Sequence, residues 1–218
     1  MKFMDEVIKQ SLPVWDECIE TAFLVKMVDG SLTQKMFADY MVQDSLYLRD
    51  YQRTFAFGIA KSPTIREMKL FYPLLGDLAE GADQMRIQYL SDAGIDDADI
   101  DRMPKYRQCH NYTEYLLKIG RGGDIEDIIM AILPCMLGYY YVFENIVAQH
   151  PSLLEGYYGP MVSCYSSERF RVKGEYWKEV TNELCESLDN DRKRELTNIF
   201  YQGSLHELWF WEMAGEEH

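Results

Sequence analysis

The spacing of apolar residues constrains the fold of this chain more than any other feature of its sequence. Apolar side chains recur every three or four residues over segments of roughly 15 to 30 residues, the period of an α-helix with one buried face. No segment alternates apolar and polar residues as a half-buried strand does. Helix-ending residues separate the segments, for example Gly30, Gly94 and Pro151. The pattern predicts an all-α protein, a bundle of seven to eight helices in a single domain over 1–218.

Residues typical of helix N-termini predict where the helices begin. Ser31 with Gln34 resembles a capping box, and Asp124 stands before a long apolar segment with further acids in its first turn. The longest predicted loop, 95–104, is acidic and expected to be exposed. The predicted helices lie near 3–28, 32–59, 63–93, 105–119, 124–149, 153–164, 167–188 and 191–213.

Acidic side chains outnumber basic ones. The 218 residues include 22 Lys and Arg and 36 Asp and Glu, which gives a net charge of −14 with histidine neutral. Nucleic-acid binding relies on clustered basic side chains, and the chain offers only short groups such as 192–194. A DNA- or RNA-binding role is therefore not expected. The hydrophobic fraction of 47% is that of a packed globular protein.

The chain is expected to be cytoplasmic and not to interact with a membrane. Its longest uncharged stretch, 128–143, is shorter than the roughly 20 residues of a membrane-spanning helix, and Pro134 and Gly138 interrupt it. A buried core helix is the better interpretation. The N-terminus has no apolar signal core. Five widely spaced cysteines without a CxxC pair favour free thiols in a reducing compartment.

Two carboxylates lie on predicted apolar helix faces. Asp44 interrupts the face of the second predicted helix, one turn before Tyr47, and Glu207 interrupts the last one among the aromatic residues 209–211. An unpaired buried charge costs several kcal/mol, so each carboxylate must be paired, hydrogen-bonded or neutralised. Each is interpreted either as a structural core acid or as part of a functional site, and periodicity alone does not decide between them.

Cys135 lies on the apolar face of the fifth predicted helix, directly after Pro134. A lone cysteine in such a place is usually an inert small hydrophobic residue. The alternative is a nucleophilic thiol, which needs a group that accepts its proton and an electrophile held beside it. Nearby carboxylates and tyrosines would favour this alternative, and the chain contains 16 tyrosines.

Several chemistries have no signature in the sequence. There is no GxGxxG, GxxxxGK or GxSxG motif. None of the four histidines follows a glutamate at the Glu-x-x-His spacing of a di-iron bundle, and no cysteine cluster exists. A metal site is therefore not expected, and no motif indicates binding of haem or another cofactor.

Five short motifs nevertheless occur together in one order along the chain, and with them the chain resembles the TenA family, also called thiaminase II or aminopyrimidine aminohydrolase. The resemblance covers essentially the whole chain and implies a haem-oxygenase-like helical fold. The motifs are Phe37-x-x-Tyr40-x-x-Gln43-Asp44-x-x-Tyr47-Leu48, Tyr112-Thr113, Leu133-Pro134-Cys135-x-x-x-Tyr139-Tyr140, Tyr165-x-x-x-x-Phe170 and Glu207-x-x-Phe210-Trp211.

The resemblance implies a cofactor-free hydrolase that releases hydroxymethylpyrimidine from thiamin or related aminopyrimidines, for salvage or degradation. It implies that Cys135 is the nucleophile, that Glu207 is the acid and base, and that Tyr47 beside the thiol favours its activated form. It also implies a homo-oligomer, commonly a tetramer. The implied substrate-binding residues are Asp44, which hydrogen-bonds the aminopyrimidine, Tyr112, Tyr139 and Tyr165, which line the site, and Phe210, which stacks on the ring.

The chain departs from the family pattern in three places. Thr21-Ala22 stands where the family often has His-Pro, and His206 and Leu208 replace tyrosines beside the glutamate. The segment 80–86 does not carry the Glu and His at the places where the family tends to have them. Two alternatives therefore remain open: a divergent hydrolase of another small amine, and a non-catalytic protein that binds pyrimidine or acts in regulation. A haem-binding helical protein is a more distant alternative. The retained cysteine and carboxylates favour the aminopyrimidine hydrolase.

Overall fold

The structure is a computed structural model that describes residues 2–77 and 82–218, with the side chains of 2–75 and 84–218. Helices connected by short turns make up this part of the chain, and it contains no strand, so the predicted all-α class is confirmed. The helices are α1 (Phe3–Ile19), α2 (Ala22–Asp29), α3 (Gln34–Lys61), α4 (Ile65–Asp77), α5 (Ala82–Asp92), α6 (Asp97–Ile100), α7 (Arg107–Gly122), α8 (Ile125–Gln149), a 3₁₀-helix (Pro151–Glu155), α9 (Gly159–Tyr165), α10 (Glu168–Leu184) and α11 (Asn190–Ala214).

Several predicted boundaries need correction. The helix predicted over 3–28 is two helices, because the chain turns at Thr21, whose hydroxyl donates to the Cys18 carbonyl at 2.7 Å. The helix predicted over 63–93 covers α4 and α5, and its middle, residues 78–81, lies outside the described part of the chain, so continuity across these residues stays a prediction. The family departure at 80–86 falls partly on these residues.

The start of α3 also differs from the prediction. Thr33, not Ser31, caps this helix, and its hydroxyl accepts from the Met36 amide at 3.2 Å. The hydroxyl next to the first helical residue is the one that reaches the free amides of the first turn. The cap predicted at Asp124 is confirmed, because its carboxylate accepts from the Asp127 amide at 3.0 Å.

Helix α8 occupies the centre of the bundle. It packs against α1, α3, α7, α10 and α11, and its residues from Ile128 to Pro134 are all buried. By length and composition alone this helix could cross a membrane, but 72% of its most apolar stretch is buried inside the protein. The structure therefore gives α8 the place of a core helix, as the sequence predicted.

The chain between α5 and α7 is fastened to α3. The Gln43 side chain donates to the Pro104 carbonyl at 3.0 Å and accepts from the Tyr106 amide at 2.8 Å. Lys105 forms an ion pair with the buried Asp50. The predicted loop over 95–104 is largely exposed, but it contains the short helix α6. These contacts bring the start of α7 against the segment of α3 that carries Asp44.

Candidate active site

The eight residues singled out from the sequence lie on five helices and face one region of the interior. Asp44 and Tyr47 are on α3 and Tyr112 is on α7. Their side chains are buried, at 7% exposure for Asp44 and 3% or less for the other two. The remaining five are Cys135 and Tyr139 on α8, Tyr165 on α9, and Glu207 and Phe210 on α11.

Glu207 is a buried acid of this region, and it accepts a hydrogen bond from the Tyr112 hydroxyl at 2.5 Å. Its side chain is 3% exposed. Burial raises the pKa of Glu207 to about 8 and the charge of Asp44 adds to the rise, whereas Tyr112 and Cys135 act in the opposite direction. Near neutral pH this carboxyl therefore holds a proton that it can donate.

The Cys135 thiol belongs to the same electrostatic cluster. Burial and the nearby Glu207 raise the pKa of this thiol well above its ordinary value, Asp44 raises it further, and the Tyr47 hydroxyl lowers it. The thiol is thus neutral in the resting protein. Cys135 as a whole residue is half-buried, although Pro134 and Met136 on either side of it are buried.

The Tyr47 hydroxyl is buried and makes no hydrogen bond of ordinary geometry in the structure. Its ring is held by Tyr112, with 4.8 Å between ring centroids, and by Phe210 at 5.8 Å. Leaving a buried hydroxyl unsatisfied costs about 1–3 kcal/mol, so such groups are rare and concentrate where a ligand or a reaction uses them. The Tyr47 hydroxyl also lowers the pKa of the Cys135 thiol.

Aromatic rings form a wall of this region. Tyr139 packs on Tyr165 with ring centroids 4.8 Å apart, and its hydroxyl lies 3.0 Å from that of Tyr40. Trp211 supports this wall from α11 by stacking on Tyr40 at 5.4 Å. Tyr165 is half-buried. A flat heteroaromatic ligand suits a region bounded by such rings.

Tyr40 and Tyr51 belong to the site and were not among the predicted site residues. The Tyr51 hydroxyl donates to the Ile132 carbonyl at 2.8 Å, about two turns before Tyr139 on α8. The spacing of Tyr40, Asp44, Tyr47 and Tyr51 places all four on one face of α3, and that spacing was a signal that could have identified them.

Chemically, the region offers one proton donor, one thiol, one further carboxylate and several phenols. In the described residues no group of three or more His, Cys, Asp or Glu side chains has the arrangement of a metal site. The groups with the largest effects on the pKa values of Glu207 and Cys135 are acids, phenols and these two residues themselves. None of these groups is a lysine or an arginine. The arrangement can protonate a ligand and attack it with sulfur, and it favours a neutral or cationic ligand.

A sequence model of the TENA/THI-4/PQQC family matches residues 8–217. An uncharacterized protein of Haemophilus influenzae is 30% identical over 97% of this chain and 98% of its own length. A protein of Halalkalibacterium halodurans named aminopyrimidine aminohydrolase is 28% identical, and the match covers 100% of this chain and 97% of that one.

Solved structures share the fold. A protein of a Silicibacter species, described as a TenA family transcription regulator, superposes with a TM-score of 0.87 over 99% of this chain and 97% of its own, at 23% identity. A protein of Shewanella denitrificans with a heme oxygenase-like fold superposes with a TM-score of 0.77 over 97% of this chain and 91% of its own, at 13% identity. The haem-oxygenase-like architecture expected from the resemblance is thereby confirmed.

Proposed function

This chain belongs to the TENA/THI-4/PQQC family, and from that premise we propose that it is an aminopyrimidine aminohydrolase. It hydrolyses 4-amino-5-aminomethyl-2-methylpyrimidine, thiamin or a close relative to the hydroxymethylpyrimidine. One observation carries the proposal: a neutral thiol, a carboxyl with a pKa of about 8 and a second buried carboxylate share a single aromatic-lined region. The name of the Halalkalibacterium halodurans relative supports the same substrate class.

Binding is the first role of the site. Asp44 accepts hydrogen bonds from the exocyclic amine and fixes the orientation of the pyrimidine. Tyr139 and Tyr165 contact the ring, with Tyr112 completing the wall, and Phe210 stacks on it. These hydrogen bonds offset the free-energy cost of desolvating the polar edge of the substrate. Contacts with the apolar faces of the pyrimidine ring contribute the remainder of the binding free energy.

Chemistry begins with proton transfer. The Glu207 carboxyl donates a proton to a ring nitrogen, which makes the pyrimidine electrophilic. The Cys135 sulfur then adds to a ring carbon, and its proton passes to the newly formed Glu207 carboxylate. Tyr47 donates a hydrogen bond to the sulfur as negative charge develops, which is a use for its unsatisfied hydroxyl.

The remaining steps replace the substituent by water. The electrons of the adduct expel the amine or thiazole from the exocyclic methylene, and the leaving group takes a proton from Glu207 where it needs one. Water adds to the methylene and gives a proton to the Glu207 carboxylate, or to solvent where Glu207 has kept its own. The carbon–sulfur bond then breaks, and the proton of the ring nitrogen returns to the sulfur, which restores the thiol. For the aminomethyl substrate the sum is amine plus water giving alcohol plus ammonia, without any redox change.

The test compares hydrolysis of the aminomethylpyrimidine and of thiamin by native protein and by Cys135→Ser. We expect product from the native protein and a loss of at least about a hundredfold in the variant, with binding of the hydroxymethylpyrimidine retained. Cys164→Ser is the matched control, because Cys164 is also half-buried but lies on α9 outside the mechanism.

Other outcomes separate the alternatives. Binding without turnover by native protein indicates the non-catalytic pyrimidine-binding role. Turnover of a different small amine, with neither pyrimidine bound, indicates the divergent hydrolase. Equal activity of native protein and Cys135→Ser would remove Cys135 from the mechanism.

We also propose a homo-oligomer in the cytoplasm. Large apolar side chains are exposed on two neighbouring helices: Ile65 and Tyr72 on α4 are each 72% exposed, and Val172 and Tyr176 on α10 are 52% and 54% exposed. Such side chains concentrate at protein interfaces. All five cysteines are free, which suits a reducing compartment. Light scattering of the purified protein tests the oligomer, and a monomeric mass would contradict it.

A further inference from the structure

His206 lies directly before the proposed acid, and its imidazole stacks on the ring of Tyr112. The two rings are nearly parallel, with 6° between their planes and 5.1 Å between centroids. Tyr47 contacts the same Tyr112 ring at 4.8 Å, with 37° between the planes. Two consecutive residues of α11 therefore hold Tyr112, because His206 contacts its ring and Glu207 accepts a hydrogen bond from its hydroxyl.

The contact between His206 and Tyr112 is a ring contact and not a hydrogen bond. The Nδ1 atom of His206 is buried without a hydrogen-bond partner. The imidazole also contacts Tyr115 at 4.8 Å, and the edge of Trp209 lies 5.0 Å from it at 89°. Burial lowers the pKa of His206 to about 4, so at neutral pH the imidazole is an uncharged aromatic plate.

We infer that His206 is a positioning residue, whose stacked imidazole holds the Tyr112 phenol in the orientation that donates to the proposed acid Glu207. The inference rests on the proposed function for the role of Glu207, but the hydrogen bond that it explains exists without substrate. A hydrogen bond to the ionised carboxyl favours that form, so the His206 contact acts on the acidity of Glu207 through Tyr112.

The groups that face Glu207 come from five helices. They are Tyr112 from α7, Asp44, Tyr47 and Tyr51 from α3, Cys135 and Tyr139 from α8, Tyr165 from α9 and Cys18 from α1. Around His206 the titratable groups are Tyr112 and Tyr115 of α7. Among the described residues, only Tyr112 contacts the side chains of both His206 and Glu207 through hydrogen bonds or ring contacts. The His206 side chain therefore acts on the Glu207 carboxyl through Tyr112.

The experiment titrates Glu207 in the substrate-free protein by infrared difference spectroscopy, with the carboxyl band assigned by its loss in Glu207→Gln. His206→Leu keeps an apolar side chain of similar size without a ring, and His206→Phe restores a ring. We expect His206→Leu to raise the pKa of Glu207 by about one unit, as Tyr112→Phe does, because the hydrogen bond that favours the carboxylate is weakened. His206→Phe keeps the native value.

A double variant provides the decisive comparison. His206→Leu combined with Tyr112→Phe is expected to shift the titration no further than Tyr112→Phe alone, because both changes act through one hydrogen bond. His110→Ala, an exposed position on the same helix as Tyr112, is the matched control and leaves the titration unchanged. An unshifted His206→Leu titration, additive shifts in the double variant, or a His206→Phe value equal to that of His206→Leu would each overturn the inference.

Activity measurements separate this inference from the proposed function. In the same variants kcat is expected to fall about tenfold for His206→Leu and to recover in His206→Phe, with its pH dependence moved in parallel with the titration. A native protein that hydrolyses neither pyrimidine contradicts the proposed function, and the infrared titration then still decides whether His206 positions Tyr112.

Discussion

Glu207 is a carboxyl group with 3% of its surface exposed, surrounded by aromatic rings and with Asp44 as an acidic neighbour. These surroundings penalise its charged form, and the opposing effects of Tyr112 and Cys135 on its pKa do not compensate. Cys135 is under the same influences, so its thiol also stays neutral. Burial is therefore what distinguishes Glu207, which keeps its proton near neutral pH, from the solvent-exposed acids of the chain.

The raised pKa of Glu207 predicts a pH dependence of stability. Between its ordinary value of 4.5 and about 8 the folded protein holds a proton that the unfolded chain has released. Raising the pH through this window therefore lowers the free energy of unfolding, by up to about 1.4 kcal/mol per pH unit from this group. Glu207→Gln cannot titrate and is expected to flatten the dependence. Urea unfolding at pH 5, 6, 7 and 8 measures it, and equal slopes for both proteins would contradict the prediction.

The Tyr47 hydroxyl is expected to increase the rate of hydrolysis without adding to the free energy of unfolding. Tyr47→Phe removes a buried hydroxyl that makes no hydrogen bond, so the free energy of unfolding is unchanged or rises by up to about 1 kcal/mol, whereas hydrolysis falls at least about tenfold.

Tyr51→Phe is the control for this prediction. Its hydroxyl donates to the Ile132 carbonyl at 2.8 Å, and its removal is expected to cost about 1 kcal/mol. Urea unfolding and a hydrolysis assay on both variants make the comparison. A Tyr47→Phe variant less stable than Tyr51→Phe would show that Tyr47 has a structural role.

Helices α8 and α11 cross closely enough that glycine is required between them. A side-chain carbon at Gly203 would lie 2.7 Å from Cγ of Pro134, the residue before Cys135. Because the proline ring cannot rotate away, the two helices would have to separate. The same crossing carries Glu207 one turn further along α11, so the distance between acid and thiol depends on this contact.

Gly203→Ala is therefore expected to destabilise the protein by about 1–3 kcal/mol and to lower hydrolysis as well. Gly122→Ala is the matched control at the end of α7, where a side-chain carbon meets no atom within 4 Å. It is expected to be neutral or slightly stabilising. Thermal unfolding of both variants tests the prediction, which fails if Gly203→Ala unfolds at the temperature of Gly122→Ala.

Across the whole molecule the charge is −14, and the described groups that act most strongly on Glu207 and Cys135 include no lysine or arginine. A ligand that enters the site therefore meets negative potential with no fixed cation at its end. This arrangement favours an aminomethyl or thiazolium group, which is cationic, and disfavours a phosphate ester.

We expect hydroxymethylpyrimidine phosphate to bind at least about tenfold more weakly than hydroxymethylpyrimidine, because its phosphate has no cationic partner to offset desolvation. Calorimetric titration of both compounds at the same pH and salt concentration measures the difference. Equal affinities, or tighter binding of the phosphate, would show that a cation reaches the site from elsewhere in the assembly.

The sequence by itself determined the helical class and identified which polar residues face inward. An α-helix repeats every 3.6 residues, so a carboxylate at 44 or 207 on an apolar face is visible as an anomaly without any structure. The same local pattern did not give the correct ends of α1 and α3. These ends depend on which backbone group each threonine hydroxyl reaches, the Met36 amide for Thr33 and the Cys18 carbonyl for Thr21.

Only the tertiary structure decided which of these buried polar side chains contact one another and which of them are protonated. Tyr112 and Glu207 are 95 positions apart, and their 2.5 Å hydrogen bond exists because α7 and α11 pack together. The unsatisfied Tyr47 hydroxyl and the stack of His206 on Tyr112 likewise involve groups from different helices. Desolvation and neighbouring charge depend on these distances between helices, and periodicity along one helix carries no information about them.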